Sequence, residues 1–380
     1  MSKTTHRLIT VSNLEQFRHA LSKEKGDRRI VFGNFPQGST NELGYIMHVP
    51  DNEDIMIDGS TKDNIIIDGS TSPVPVTIYG ARLYIKKSKH VLITNLRIRL
   101  GANGFKANKN KKDKPRIERE AIKVEKSKKI IFDHCSISWG TDETFSTENC
   151  KKITLQWCII SEPLNKPKDD KDNWLHSDQE PHGYGVLIAS TNKFVMHHCL
   201  IAHCLRRSPS ISPDGNIKSK SSFYNNLIYD YTDHGSNFNS GKEKTNYDDD
   251  VYYTIVNNCY RSKKENHGPE LNIEIPHKNT LRIHCDGNIK DENDKMTPTN
   301  YKIEDSKNSG KIKNKKKFSL VNSEDIESVK DSNKKILESV GAILPSRDLI
   351  DIRIIQQVKK LTGDLVDHEK DLPEYQYLPH

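Results

Sequence analysis

The chain has 380 residues, 33% of them apolar, and a formal net charge of +7 from 59 Lys+Arg against 52 Asp+Glu. Its mean hydropathy is −0.77. This composition is too apolar and too patterned for a disordered chain. It is also lean for one thick globular core, so the length suits either two domains or one elongated solenoid whose core grows by repetition. The modest positive excess favours polyanionic partners without choosing among nucleic acid, anionic glycan and an acidic membrane surface.

Seven cysteines without a C-x-x-C pair point to free thiols and away from a disulfide framework. The opening MSKTTHRLITVSN contains no apolar run of signal-peptide length, and no later run is long enough to span a membrane. As written, the chain carries no secretory address, so an intracellular or virion-associated location is expected.

In chain order, Leu8–Val11 reads as a short strand and is followed by a helix. Ser12 and Glu15 have capping-box spacing there, and Leu14, Phe17 and Leu21 recur at helical intervals. Arg29–Phe32 is the next strand. Helical periodicity then almost vanishes to about residue 290 and gives way to short β-branched strands: Ile55–Ile57, Ile65–Ile67, Val76–Tyr79, Leu83–Ile85 and Val91–Ile98. The series continues with Ala121–Val124, Ile130–Phe132, Ile153–Gln156, Gly185–Ile188 and Phe194–His197. Sandwiches and propellers also use short strands, but a β-helix tends to repeat one strand–turn motif at irregular rung lengths.

The turns themselves repeat. Asp133-His134-Cys135, Gln156-Trp157-Cys158, His197-His198-Cys199, Tyr224-Asn225-Asn226 and Val256-Asn257-Asn258 each follow a strand. In a solenoid their third residues would stack in one column and exchange hydrogen bonds from rung to rung. Lys106–Arg116, Asn165–Pro181 and Gly287–Lys317 interrupt the pattern, the last rich in Lys, Asn and Asp and expected to be a flexible insertion. Ser332–Val340 and Arg347–Leu361 then read as helices, with Ile354, Ile355, Val358 and Leu361 forming one apolar stripe that Gly363 can terminate.

Two groups of residues could carry chemistry. Glu118 and Glu120, two apart in a strand, point to one face, and Asp142 and Glu143 follow about one rung later. Carboxylates gathered in this way repel unless a hard cation lies between them, and oxygen donors suit Ca²⁺. The second group is Arg206-Arg207-Ser208-Pro209, where a proline-ended rung can hold an arginine fork for a carboxylate. His182, His197, His198 and His203 do not make a zinc site, because adjacent strand residues point to opposite faces and no zinc-ligand spacing is present. P-loop, dinucleotide-binding and serine-hydrolase motifs are absent too.

The run IFDHCSISWGTDE (131–143) resembles the W-I-D-H-C-S-x-S-W-G-T-D-E signature of pectate lyases and related polysaccharide lyases. NIIIDGSTSP (64–73), VLITNLRIRLG (91–101), ITLQWCIISEPL (153–164), MHHCLIAHCLRRSP (196–209) and GAILPSRDLIDIRIIQQV (341–358) are similar to further family segments, in order. The resemblance implies a right-handed parallel β-helix that cleaves polygalacturonate by β-elimination, with calcium bridging enzyme and uronate carboxylates and an arginine removing the proton on carbon 5. It assigns calcium to Glu118, Glu120 and either Asp142 or Glu143, and the catalytic role to Arg207 in the family's R-x-P motif.

The chain departs from the family at two places. Tyr184, within HGYGVL, replaces a substrate-binding lysine, and the position of a second arginine falls near Ser210 or Ser212. Substrate contacts are therefore expected from Arg206, Lys171, Tyr184 and His182. The combined expectation is an all-β chain in three parts. Residues 1–290 form a right-handed single-stranded parallel β-helix with an N-terminal capping helix, 291–320 a flexible insertion or linker, and 321–380 a C-terminal helical segment packed on the solenoid. The expected function is a monomeric, calcium-dependent lyase acting on an acidic polysaccharide, without a membrane partner and with nucleic acid disfavoured. The alternative is a non-catalytic β-helix that binds anionic glycans or serves as a structural or virion component.

Overall fold

The structure is a computed structural model and describes residues 6–59, 63–102, 119–169, 171–176, 178–213, 219–241, 251–263, 268–275, 280–292, 295–299, 301–304, 311–314, 320 and 323–379. One coil shows how the chain winds. It passes through Ile122–Glu125, Lys128–Asp133 and Ser136–Ser138, then returns as Glu143–Glu148 directly beside the first of these strands. Repetition of this circuit builds three sheets: sheet C from the Ile122–Glu125 position, sheet A from Lys128–Asp133 and sheet B from Ser136–Ser138. Among the described residues sheets A and B have 11 strands each and sheet C has 9. Pairing is parallel except at the two ends of sheet B, where Thr40–Asn41 meets Gly44–His48 and Ile289–Glu292 meets Lys295–Pro298 in antiparallel fashion. The chain is thus a parallel β-helix, right-handed as twisted parallel strands require of their connections.

Strand periodicity and rung register together make the core. Ile130 and Phe132 lie beside Ile153 and Leu155, which lie beside Phe194 and Met196, and all six are fully buried. Each such side chain contributes roughly 1.5–3 kcal/mol by leaving water. A narrow tube of stacked aliphatics needs few apolar residues per rung, which reconciles the lean composition with a complete core.

The repeated turn joins sheet A to sheet B. Its middle residues, among them Asn95, His134, Trp157, His198, Asn225 and Asn257, all have φ between 50° and 53°. The third residues form the expected column, which Asn288 extends. Asn226 Oδ1 accepts from Cys199 N at 3.0 Å, Asn258 Oδ1 from Asn226 N at 3.0 Å and Asn288 Oδ1 from Asn258 N at 3.1 Å. His198 belongs to this stack, 4.5 Å from Trp157 between ring centroids. All seven cysteines are free thiols.

Helices close the two ends differently. Helix α1 (Leu14–Ser22) covers the first coil with Phe17, Ala20 and Leu21. Its cap lies one residue beyond the expected Ser12/Glu15 box. Asn13 Oδ1 accepts from Gln16 N at 2.9 Å, and Gln16 Oε1 accepts from Ser12 N at 2.8 Å, a reciprocal pair that Gln16 can make and Glu15, one position early, cannot. Helix α2 spans Val329–Ser339 and starts at the Ser328 cap, ahead of the expected Ser332. Helix α3 (Leu349–Lys360) is capped by Asp348 and ends at Leu361, whose φ is 54°.

Ile350, Ile354, Ile355 and Val358 of α3 pack on Ile159, Leu200, Leu227 and Tyr229 of sheet B. Beneath them Arg99 is fully buried and donates to Asp348 at 3.0 Å and Asp351 at 2.9 Å, so the motifs at 91–101 and 341–358 meet in a buried ion network. Within 291–320, Tyr301–Glu304 and Lys311–Asn314 continue sheets C and A, where the sequence suggested a flexible insertion. No helix among the described residues is long and apolar enough to cross a membrane.

Candidate active site

The outer face of sheet C and the turns leading into it carry a row of charged side chains across consecutive coils. Gly140 makes one of those turns possible. A β-carbon there would lie 2.2 Å from the Glu143 carbonyl oxygen, so only glycine lets the chain fold back after Trp139 and set Asp142 and Glu143 at the start of their strand. One coil later, Glu143 pairs with Tyr184 in the sheet register, and Tyr184 bridges to Arg206. Gly185 permits that approach, because a β-carbon would come within 2.7 Å of the Arg207 carbonyl oxygen.

These turns place Arg207 with φ at 65° and direct its guanidinium onto Glu143, to which Nη1 donates. The same guanidinium lies 3.9 Å from the Tyr184 ring centroid. Arg206 donates to the Tyr184 hydroxyl at 2.6 Å and lies 3.5 Å from Asp233. On the other side, His182 stacks between His176 (3.9 Å) and Tyr184 (4.9 Å). Its two ring nitrogens lie 3.2 Å from Asp142 and Asp178. Glu120 accepts from Arg82 at 3.0 Å, Lys123 at 3.1 Å and Ser146 at 2.9 Å.

Crowding sets the protonation of this row. Burial, then the charge of Asp142 and that of Glu120, pushes the Glu143 carboxyl up to about 8 against the counteracting pull of Arg207. Burial also raises Asp142, but the hydrogen bond and charge of His182, with Arg207, outweigh it and hold Asp142 below the usual carboxylate range. His182 is the complement: burial lowers it, and Asp142 and Asp178 prevail and raise it.

The structure thus brings Glu120, Asp142, Glu143, His182, Tyr184, Arg206 and Arg207 into one row. Glu118 lies outside the described residues. Lys171 is exposed in the loop organised by Asp169, and no contact joins it to the row among the described residues. Ser210, near the expected second arginine, is buried at the start of its strand. Sequence reasoning missed Arg82, Lys123, Ser146, His176 and Asp178. Arg82 and Lys123 were legible only as ordinary surface cations, since their proximity to Glu120 depends on how many residues each coil contains.

The donor chemistry of the acidic row suits a hard cation, because burial, and after it the charges of Asp142 and Glu120, disfavours the Glu143 anion. Among the described residues, however, no three His, Cys, Asp or Glu side chains converge on one metal position. Glu120, Asp142 and Glu143 would therefore supply, among the described residues, only part of a calcium ligand set.

This parallel β-helix carries a row of carboxylates and arginines on one flank. The relatives it resembles are pectate lyases. A "Probable pectate lyase C" of Neosartorya fischeri is 26% identical over 211 residues, covering 55% of this chain and 40% of that protein. Its namesake in Emericella nidulans is 24% identical over 377 residues, covering 96% of this chain and 74% of the relative. The chain thus spans about two fifths of the length of the first relative. Among solved structures, a pectate lyase from Paenibacillus sp. 0602 superposes with a TM-score of 0.55 at 13% identity, covering 90% of this chain and 92% of that one. A pectate lyase bound to a hexasaccharide gives 0.54 at 14% identity, covering 90% and 93%. At such identities the structural likeness speaks for the fold. No family model matches the chain.

Proposed function

We propose that the sheet C row is the active site of a calcium-assisted lyase that cleaves polygalacturonate or a similar uronate polymer by β-elimination. The observation that carries this reading is the convergence of Arg207 with Glu143, Tyr184 and Arg206 from three successive coils. Arg206 offers a guanidinium fork to a uronate carboxylate. Arg207, held by its backbone conformation and the Tyr184 ring, would take the proton from carbon 5 after its guanidinium has first given up a proton to solvent. The C5–H and C4–O bonds break, a C4–C5 double bond forms, and the departing oxygen takes up a proton. Glu120, Asp142 and Glu143 would hold calcium together with substrate oxygens, and the ion would acidify the carbon 5 proton by drawing charge from the uronate carboxylate.

A second reading, a β-helix that binds anionic glycans without cleaving them, is favoured by one feature: Arg207 is already paired with a buried carboxylate. Polygalacturonate incubated with the protein and calcium distinguishes the two. The lyase reading expects the ultraviolet absorbance of 4,5-unsaturated products, lost on chelation and reduced at least a hundredfold in Arg207→Ala. Full activity in Arg207→Ala would remove the assignment, and binding without new absorbance on any uronate polymer would leave the second reading standing.

A further inference from the structure

A second charged feature lies on the outer face of sheet A and takes no part in the sheet C row. Lys89, Lys128, Lys151 and Asn192 are direct neighbours in the register of four consecutive coils. The residues that follow them, His90, Lys129, Lys152 and Lys193, have φ of 56°, 59°, 59° and 62°. Consecutive strand residues ordinarily point to opposite faces. The left-handed residue in each coil breaks that alternation, so both members of each basic pair stay outside. Two parallel columns result, basic at every position except Asn192, with a rung spacing of roughly 4.7–4.9 Å.

These lysines are not neutralised by their neighbours. Glu125 is engaged by Lys86 and Lys126, and Glu148 lies 4.0 Å from Lys123. Among the described residues, no ion pair involves Lys89, Lys128, Lys129, Lys151 or Lys152. Partial desolvation and then the charges of Lys151, Lys129, Lys152 and Lys89 push the Lys128 ammonium below the ordinary lysine range. Stacked like charges of this kind are held together by the fold against their own repulsion. Beside them runs an aliphatic column, Ile66, Leu92 and Ile131, in register with one another. Lysines and aliphatics share one shallow groove of 540 Å³, which Lys129 and Lys152 line together with His90 and those three side chains.

We propose that this strip is a non-catalytic binding site for one linear acidic polysaccharide chain running along the solenoid axis. The spacing of the basic pairs is close to the length of one sugar ring, so successive uronate carboxylates meet successive lysine pairs while the C–H faces of the rings lie on Ile66, Leu92 and Ile131. Single-stranded nucleic acid binders stack bases on aromatic side chains, and the wall of this groove is aliphatic. The ligand class follows from the lyase reading above, whereas the position of the strip does not depend on it. A polymer anchored there is kept at high effective concentration beside the sheet C row.

The full chain carrying Arg207→Lys, to suppress cleavage, is titrated with long polygalacturonate by fluorescence anisotropy, with and without Lys128→Glu, Lys151→Glu and Lys152→Glu. Charge reversal is expected to weaken binding at least tenfold and to flatten its salt dependence, while Lys→Arg at the same positions preserves both. In the otherwise unsubstituted chain, turnover of a trisaccharide-sized substrate stays unchanged on charge reversal. Unaltered affinity for the long polymer after charge reversal would overturn the strip, whether or not the protein proves to be a lyase. A single-stranded oligonucleotide that outcompetes polygalacturonate there would overturn the glycan assignment. If no cleavage is found while charge reversal still weakens binding, the lyase reading fails and the strip stands.

Discussion

Arg207 and Glu143, 64 residues apart in sequence, form an ion pair in which the carboxylate side chain is 4% exposed and the arginine 28%. The arginine is accessible enough to meet a substrate, and the carboxylate is too buried to do without a partner. Without Arg207 the Glu143 carboxyl, already pushed up to about 8, stays protonated and does not remain as a bare buried charge. Arg207→Ala is therefore expected to destabilise the fold by no more than about 1 kcal/mol at pH 8. The loss should shrink at pH 5, where Glu143 is protonated, and largely disappear in the Arg207→Ala/Glu143→Gln double variant. Denaturant unfolding of the four proteins in the cycle reads the coupling, and additive losses would show the pair to be energetically idle.

The same crowding makes stability depend on pH. Glu143 moves from an ordinary value of 4.5 to about 8 on folding, so the folded chain holds a proton that the unfolded chain has released. His182 is raised as well. Groups raised on folding stabilise fully below their unfolded value and lose that contribution as pH climbs through the folded one. Thermal stability should therefore fall between about pH 5 and pH 8, and Glu143→Gln should flatten the slope. Asp142, lowered on folding, acts with the opposite sign at more acidic pH. A melting temperature that rises across this window would contradict the protonation scheme.

Tyr184 separates two roles that one variant series can resolve. Its ring supports Arg207 and its hydroxyl accepts from Arg206. Tyr184→Phe keeps the ring and frees Arg206, so KM on polygalacturonate should rise by about tenfold, the worth of one hydrogen bond to a charged group, with kcat little changed. Tyr184→Ala removes the support as well and should lower kcat. Equal losses in both variants would mean that the ring does not orient Arg207.

Calcium should bind the free protein weakly and the protein with oligogalacturonate much more strongly, because no three donors converge among the described residues. Calorimetric titration with and without the sugar gives the comparison, and Asp142→Asn should weaken the sugar-dependent binding most. Equally tight binding in both cases would point to a resident metal site.

The asparagine ladder offers a prediction about the scaffold. Asn258→Ala leaves the buried Asn226 backbone N–H without its acceptor, while Asn226 Nδ2 keeps the Met196 and Tyr224 carbonyls, and should cost about 1–3 kcal/mol in chemical denaturation. A neutral substitution would mean that the ladder accompanies the turn geometry without stabilising it.

Much of this was legible in the chain itself. The repeated Asp-His-Cys, Gln-Trp-Cys and Tyr-Asn-Asn turns and the β-branched triplets between them define a solenoid, because local periodicity decides which side chains face inward. The family-like segments named Arg207 and the acidic residues for the same reason, since each is a short run whose pattern survives in one dimension. Helix boundaries were less legible, as Asn13 and Ser328 show, because several neighbouring polar residues could serve as the cap.

Distance across coils was not legible at all. Whether Arg82 and Lys123 reach Glu120, or Arg207 reaches Glu143, depends on how many residues each coil spends on its turns, and those lengths vary. Glu120 is accordingly bound to cations that the sequence left unremarked, while Lys171, expected among the substrate contacts, stands apart in its loop. The amino-acid pattern determined the rungs and the residue types on their flank. Only the stacking of the rungs decided which charges are neighbours, because electrostatic partners are set by separation in space and the strand register is what converts position in the chain into that separation.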